Sequence, residues 1–152
     1  MIVTFNANAS VAAVQALGRN ITYENVSENP STLVRTMAGY VEDGDGGTSN
    51  TASGTLTIIP SNDAPVVTSP AAANVAENTT AVMTVTSSDP DGGAPAYSIV
   101  GGADAAKFSI NASTGALSFV SAPDFEVPTD VGGNNVYDVT VQVSDGALSS
   151  TK

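Results

Sequence analysis

Short runs of Val, Ile and Leu, separated by stretches of Gly, Asn, Asp, Ser and Thr, recur along most of this chain. Such runs between turn formers predict an all-β sandwich built from short strands. The alternation is clearest at Tyr137–Ser144, where Tyr137, Val139, Val141 and Val143 fall on one face of an extended strand. Further strands are expected at Val66–Ser69, Ala81–Thr86, Ala96–Val100, Phe108–Ile110 and Leu117–Val120. Two more are expected at Thr36–Val41 and Thr55–Ile59, joined by the turn-rich Asp43–Gly54. One segment has a helical period instead. Ser10 can cap it, Val11, Val14 and Leu17 space an apolar face, and Gly18 can end it.

The polar positions carry a second pattern. Glu24 in Tyr23-Glu24-Asn25 precedes Asp43 in Tyr40-Val41-Glu42-Asp43-Gly44 by 19 residues. Glu126 in Phe125-Glu126-Val127 precedes Asp145 in Val143-Ser144-Asp145-Gly146 by the same 19. Both acids of one copy lie 102 residues from their counterparts (126 − 24 and 145 − 43), so the chain reads as parts of two copies of one module. Between the copies lies a short polar joint, Asn62-Asp63-Ala64-Pro65. Residues 1–62 match the C-terminal half of a repeat and include its closing strand, Thr55–Ile59. Residues 63–152 form a repeat lacking its last strand, since Ser149-Ser150-Thr151-Lys152 stands where that strand should begin. The apolar face of Tyr137–Val143 corresponds in the first copy to Arg35, Met37, Gly39 and Val41, which predicts a thin core and a weaker module there. Open sheet edges follow from these boundaries. Either the chain is a segment of a longer repeat protein, the favoured reading, or neighbours supply the missing strands.

Charge narrows the partners. Fifteen acids stand against four Lys and Arg, for a net charge of −11. Such a surface repels nucleic acid and anionic lipid and suits divalent cations, although a plain acidic solubility surface reads the same by composition. With no Cys and no His, disulfides, thiolate or imidazole metal sites and Ser/Cys–His catalysis are all excluded, which disfavours zinc and copper. Any metal is a hard, oxygen-liking ion. No apolar run is long enough for membrane insertion, and Met1–Phe5 is not a signal peptide, so any export address lies outside this sequence.

Four marks occur in order after the joint: Ala76-Glu77-Asn78, Asp89-Pro90-Asp91-Gly92, Asp124-Phe125-Glu126 and Val143-Ser144-Asp145-Gly146. With Asn62-Asp63-Ala64-Pro65-Val66 they resemble the cadherin-like repeats of large bacterial surface and secreted proteins, over 60–148 and by half a module over 1–59. The resemblance implies seven-stranded Greek-key sandwiches, extracellular, joined end to end with Ca2+ at the joints. It places Asp89, Asp91 and Asp145 at the top of the second module, Asn62 and Asp63 in the joint, and Glu24 at the base of the first, together forming one inter-module site. The resemblance also puts Glu77, Asp124 and Glu126 at the base of the second module, as half a site. The chain departs from the pattern at Pro60, where an acid is expected, and at Thr22, which stands for the Asp of the Asp-x-Glu pair. Fewer or weaker ions are therefore expected at this joint than at a complete one.

The residue types suit that chemistry. Calcium takes six to eight oxygens. On a strand, Asp124 and Glu126 would face one side, and Asp89-Pro90-Asp91-Gly92-Gly93 can turn tightly enough to bring two acids together. Clustered acids repel by roughly 1 kcal/mol per pair in water and a few times more at a protein surface. The joint should then be loose without a cation and stiff with one. The bland readings are an Asp-rich turn for Asp89 and Asp91, a solvated strand face for Asp124 and Glu126, and an ordinary loop for Glu77. Asp43-Gly44-Asp45-Gly46-Gly47 resembles the start of an EF-hand loop but lacks its third Asp and closing Glu, and reads better as a polar hairpin loop.

The leading reading is a non-catalytic, calcium-stiffened structural or adhesion module of a large extracellular bacterial protein, with adjacent repeats or neighbouring copies as partners. A carbohydrate-binding module is the second class, opposed by the absence of Trp. A subunit completed by strand exchange is the third. An enzyme is disfavoured, because a glycosidase needs two carboxylates facing across a cleft and these acids gather at module ends.

Overall fold

The computed structural model describes residues 2–6, 8–42 and 45–152. The capping signal at Ser10 holds: its hydroxyl accepts the Ala13 N–H at 3.2 Å and opens α1, Val11–Arg19. Gly18, expected to end the helix, lies inside its last turn. Asn20 ends it instead, because its side-chain amide reaches back to the Ala16 carbonyl at 2.7 Å. No residue of α1 is buried. A hairpin follows, with β1 (Arg35–Gly39) antiparallel to β2 (Ala52–Leu56) and Arg35 opposite Leu56. Only those two end residues of the hairpin are even half-buried. Among the described residues, none before Asp63 is buried, in keeping with the thin face expected from Arg35, Met37, Gly39 and Val41.

Everything buried lies beyond the joint. The strands are β3 (Val66–Val67), β4 (Ala81–Thr84), β5 (Ser87–Ser88), β6 (Ala96–Gly101), β7 (Phe108–Ile110), β8 (Ala116–Phe119), β9 (Thr140–Ser144) and β10 (Ser149–Thr151). They pair antiparallel as two three-stranded sheets, β4-β8-β7 and β10-β9-β6, and a short β3-β5 ladder. The single strand expected at Ala81–Thr86 is thus divided between two partners. Val85 donates its N–H to Gly115 on the β8 side, while the Thr86 carbonyl accepts Thr68 on the β3 side, so the chain changes sheets there. Where a closing strand was expected to begin, β10 lies along the end of β9, and Val141 and Lys152 exchange both main-chain bonds at 2.9 Å.

The inward faces of both sheets meet in one core of Val85, Tyr97, Phe108, Leu117, Phe119, Val141 and Val143. The alternation read at Tyr137–Val143 is observed: Val141 and Val143 are buried, and Tyr137 and Val139 pack partly buried against the same core. Phe108 and Phe119 stack with centroids 4.6 Å apart, and Tyr137 meets Phe119 edge-on at 5.1 Å. Gly115 is required where it stands. Its φ is +71°, and a Cβ there would lie 2.2 Å from the Val85 carbonyl oxygen.

This division predicts an uneven response to truncation. Phe119→Ala should cost about 3–5 kcal/mol, whereas Met37→Ala, in the exposed hairpin, should cost less than about 0.5 kcal/mol. Urea unfolding followed by tyrosine fluorescence checks both, and comparable losses would contradict a core confined to residues after the joint.

Candidate metal centre

At the base of the core, two loops bring Glu77 to Asp124 and Glu126. Asn78 takes a left-handed conformation (φ 59°) and donates its N–H to the Pro123 carbonyl at 2.9 Å, which sets Glu77 beside the 124–126 segment. That segment is a bend, not the strand assumed when Asp124 and Glu126 were paired by alternation. Pro123 and Pro128 flank it and cannot donate to a ladder. The carboxylates converge by a local turn instead: Asp124 Oδ1 accepts the Glu126 N–H at 3.0 Å, and Glu77 Oε2 accepts the Phe125 N–H at 3.1 Å. One carboxylate oxygen from each of Glu77, Asp124 and Glu126 lies within 4.8 Å of the other two, and all three side chains are exposed. This is the one such acidic triple among the described residues. Its donors are all carboxylate oxygens, which fit a hard divalent cation and little else.

The joint is assembled at the opposite end by hydrogen bonds. Asp91 Oδ2 accepts the Asp63 N–H at 2.6 Å, and Asp89 Oδ1 accepts the Asp91 N–H at 2.9 Å. Asn62 donates its side-chain amide to Asp145 Oδ2 at 2.7 Å, while Asp145 Oδ1 takes the Ala147 and Leu148 N–H groups, both at 2.7 Å. From the first part of the chain, the Asn29 amide reaches the Asp91 carbonyl at 3.1 Å. Asn62, Asp63, Asp89, Asp91 and Asp145 are therefore gathered into one network, although their carboxylates do not close to the spacing of the base triple. Glu24 is exposed, and no hydrogen bond links it to these five. Asp43 lies outside the described residues.

Comparison with known proteins agrees with this arrangement of strands. The family model of the cadherin domain matches residues 71–152. The chain belongs to the cadherin domain family. A protocadherin gammaB7 EC3-6 cis-dimer structure is 27% identical to it, with a TM-score of 0.55, covering 76% of this chain and 29% of the other. The human protocadherin-24 EC1-2 structure is 22% identical, with a TM-score of 0.44, covering 60% of this chain and 41% of the other. The chain thus spans less than half the length of either structure. No curated protein matches it. Cadherin domains are non-enzymatic, extracellular adhesion modules that typically bind Ca2+. Among the described residues, no helix is long and apolar enough to cross a membrane.

Two acids of this cadherin module escaped the sequence reading because they serve the fold. Asp104 is 2% exposed and accepts the N–H groups of Val131 at 2.9 Å and Asp138 at 3.0 Å, clamping the loop that precedes β9. Asp130 accepts the N–H groups of Asn134 and Asn135, both at 3.0 Å. The Asn134 N–H chiefly holds the Asp130 carboxyl below its ordinary range. Partial burial pushes the other way, and Asn135 adds to the lowering. Asp145 is lowered first by the Asn62 amide and then by the Leu148 and Ala147 N–H groups.

Both carboxyls titrate lower folded than unfolded. The stability they contribute is complete above the ordinary value of 3.8 and is lost as pH falls through the lowered folded values. Asn62→Ala should move the Asp145 midpoint up towards that ordinary value and leave Asp130 where it is. Carboxyl-detected NMR titration measures both, and an unmoved Asp145 would contradict the Asn62 contact.

Proposed function

We propose that this chain is a calcium-stiffened, non-catalytic structural module of a large extracellular adhesin-type protein of bacterial origin. In this reading residues 1–62 are the C-terminal half of one repeat, and residues 63–152 are the next repeat without its last strand. The observation that carries it is the convergence of Glu77, Asp124 and Glu126 at one end of the core, opposite the Asn62, Asp63, Asp89, Asp91 and Asp145 network at the other. Acids at both poles of one module suit repeats strung end to end, each pole facing a neighbour. The marks Asp89-Pro90-Asp91-Gly92 and Asn62-Asp63-Ala64-Pro65 favour bacterial surface repeats.

Ca2+ would supply charge neutralisation and a rigid set of oxygen bonds. Glu77, Asp124 and Glu126 would hold it at the base. At the joint Asp63, Asp89, Asp91 and Asp145 would contribute carboxylates, with the Asn62 side-chain oxygen beside them. Glu24 would join them only from the neighbouring half-module. A tether built this way holds a distal binding domain at a fixed reach, which a flexible linker cannot do.

Binding to the folded state alone stabilises by about 2.7 kcal/mol at a hundredfold excess over Kd, which for a domain of this size is roughly 10–20 °C in Tm. A thermal scan with calcium should show that rise against a chelator control. Asp124→Asn/Glu126→Gln should remove most of it, and Asp89→Asn/Asp91→Asn the joint's share. A shift no larger than magnesium or sodium chloride produces would overturn the proposal.

A further inference from the structure

Asp91 is the residue at which three parts of the chain meet. Its own turn uses the N–H, which donates to Asp89 Oδ1 at 2.9 Å. The joint uses the carboxylate, whose Oδ2 accepts the Asp63 N–H at 2.6 Å. The part before the joint uses the carbonyl, which accepts the Asn29 side-chain amide at 3.1 Å. Gly92 and Gly93 follow with φ of +77° and +114°. Glycines leave the backbone free to take many directions, so the bonds made to Asp91 decide where its carboxylate points. Of the three, the Asn29 bond alone reaches across the joint from the residues that precede it.

The loop that delivers Asn29 is braced on both sides. Pro30 follows it and is half-buried, and a proline keeps the residue before it out of helical backbone. Upstream, Asn25 Oδ1 accepts the Ser27 N–H at 2.9 Å. Downstream, Arg35 donates to the Ser31 carbonyl at 3.0 Å and the Leu33 carbonyl at 3.3 Å. The same guanidinium lies 5.9 Å from the centre of the Tyr23 ring, next to Glu24. One frame therefore ties Asn29 to the segment that carries Glu24. That segment also carries Glu28, and like charges at the Asp91 turn repel both acids. Contact is made instead by a neutral amide one residue past Glu28, which offers a donor and adds no charge.

We infer that Asn29 is a positioning residue of the joint: its amide holds Asp91 in register for a cation, and so sets the joint's affinity without touching the ion. The inference rests on the calcium reading of the joint proposed above. Coupling of this kind is reciprocal, so cation binding at Asp89 and Asp91 tightens the Asn29 contact in return. One hydrogen bond corresponds to a change of roughly three- to tenfold in affinity. Asn29 is exposed and lies outside the core, so N29A keeps the fold. Calcium titrations of the wild-type chain and N29A are followed by NMR at two sets of amides, Asp63 and Leu148 at the joint and Phe125 and Glu126 at the base. The joint's Kd should rise by that factor in N29A while the base's Kd stays unchanged. In the wild-type chain the Asn29 side-chain amide resonance should move with the joint's titration and not with the base's. A joint that binds calcium equally well in N29A overturns the inference and leaves the calcium reading standing. Weakening at both ends alike also overturns it, since that would be a general loss of stability. A wild-type joint that does not respond to calcium overturns both.

Discussion

Repulsion between carboxylates crowded at the two ends of one small apolar core is the constraint around which this molecule is arranged. Protein cations do little to relieve it. Of the four Lys and Arg residues, Arg35 donates to the Ser31 and Leu33 carbonyls and Lys152 to the Ser69 carbonyl. The acids are held instead by N–H donors from their own turns: Glu126 for Asp124, Phe125 for Glu77, Asp63 for Asp91, and Ala147 and Leu148 for Asp145. Such bonds fix direction without cancelling charge. Two charges about 4 Å apart still repel by roughly 1 kcal/mol in water and about 4 kcal/mol near a protein surface. A bound divalent cation removes that term, and a cadherin module is a suitable place for one.

The core explains why the poles are so well defined. Both sheets bury Val85, Tyr97, Phe108, Leu117, Phe119, Val141 and Val143 together, and the acidic turns lie at the two ends of those strands. Asp104, buried and doubly hydrogen-bonded, locks the approach to β9. The part before the joint has no comparable anchor. Its helix and hairpin lie exposed, and the contacts of Asn29 and Asn62 with Asp91 and Asp145 tie it to the core-bearing part.

Much of this was legible in the residues. Period-two alternation picked out the inward face of β9 because burial on one side leaves a regular mark. The exposure of the β1-β2 hairpin is in keeping with Arg35 and Gly39, which offer it little apolar surface. Legibility failed where a side chain overrules a propensity. Asn20 displaced Gly18 as the helix end by bonding to Ala16. Asp124 and Glu126 meet through a proline-flanked turn, not through the strand alternation that paired them. The change of sheet at Val85–Thr86 depends on two distant partners, Gly115 and Thr68, which no local pattern encodes. Asp104 and Asp130 were missed because nothing in a lone Asp distinguishes a buried clamp from a surface charge.

The most direct test of the account is a calcium titration followed at the amides that hold the acids, those of Phe125 and Glu126 at the base and Asp63 and Leu148 at the joint. The account predicts that these resonances move together with calcium and saturate, while magnesium at equal concentration leaves them nearly in place. Resonances that stay fixed, or that follow magnesium and sodium chloride equally, would show that the acids at both poles are surface charge and that the module owes nothing to a cation.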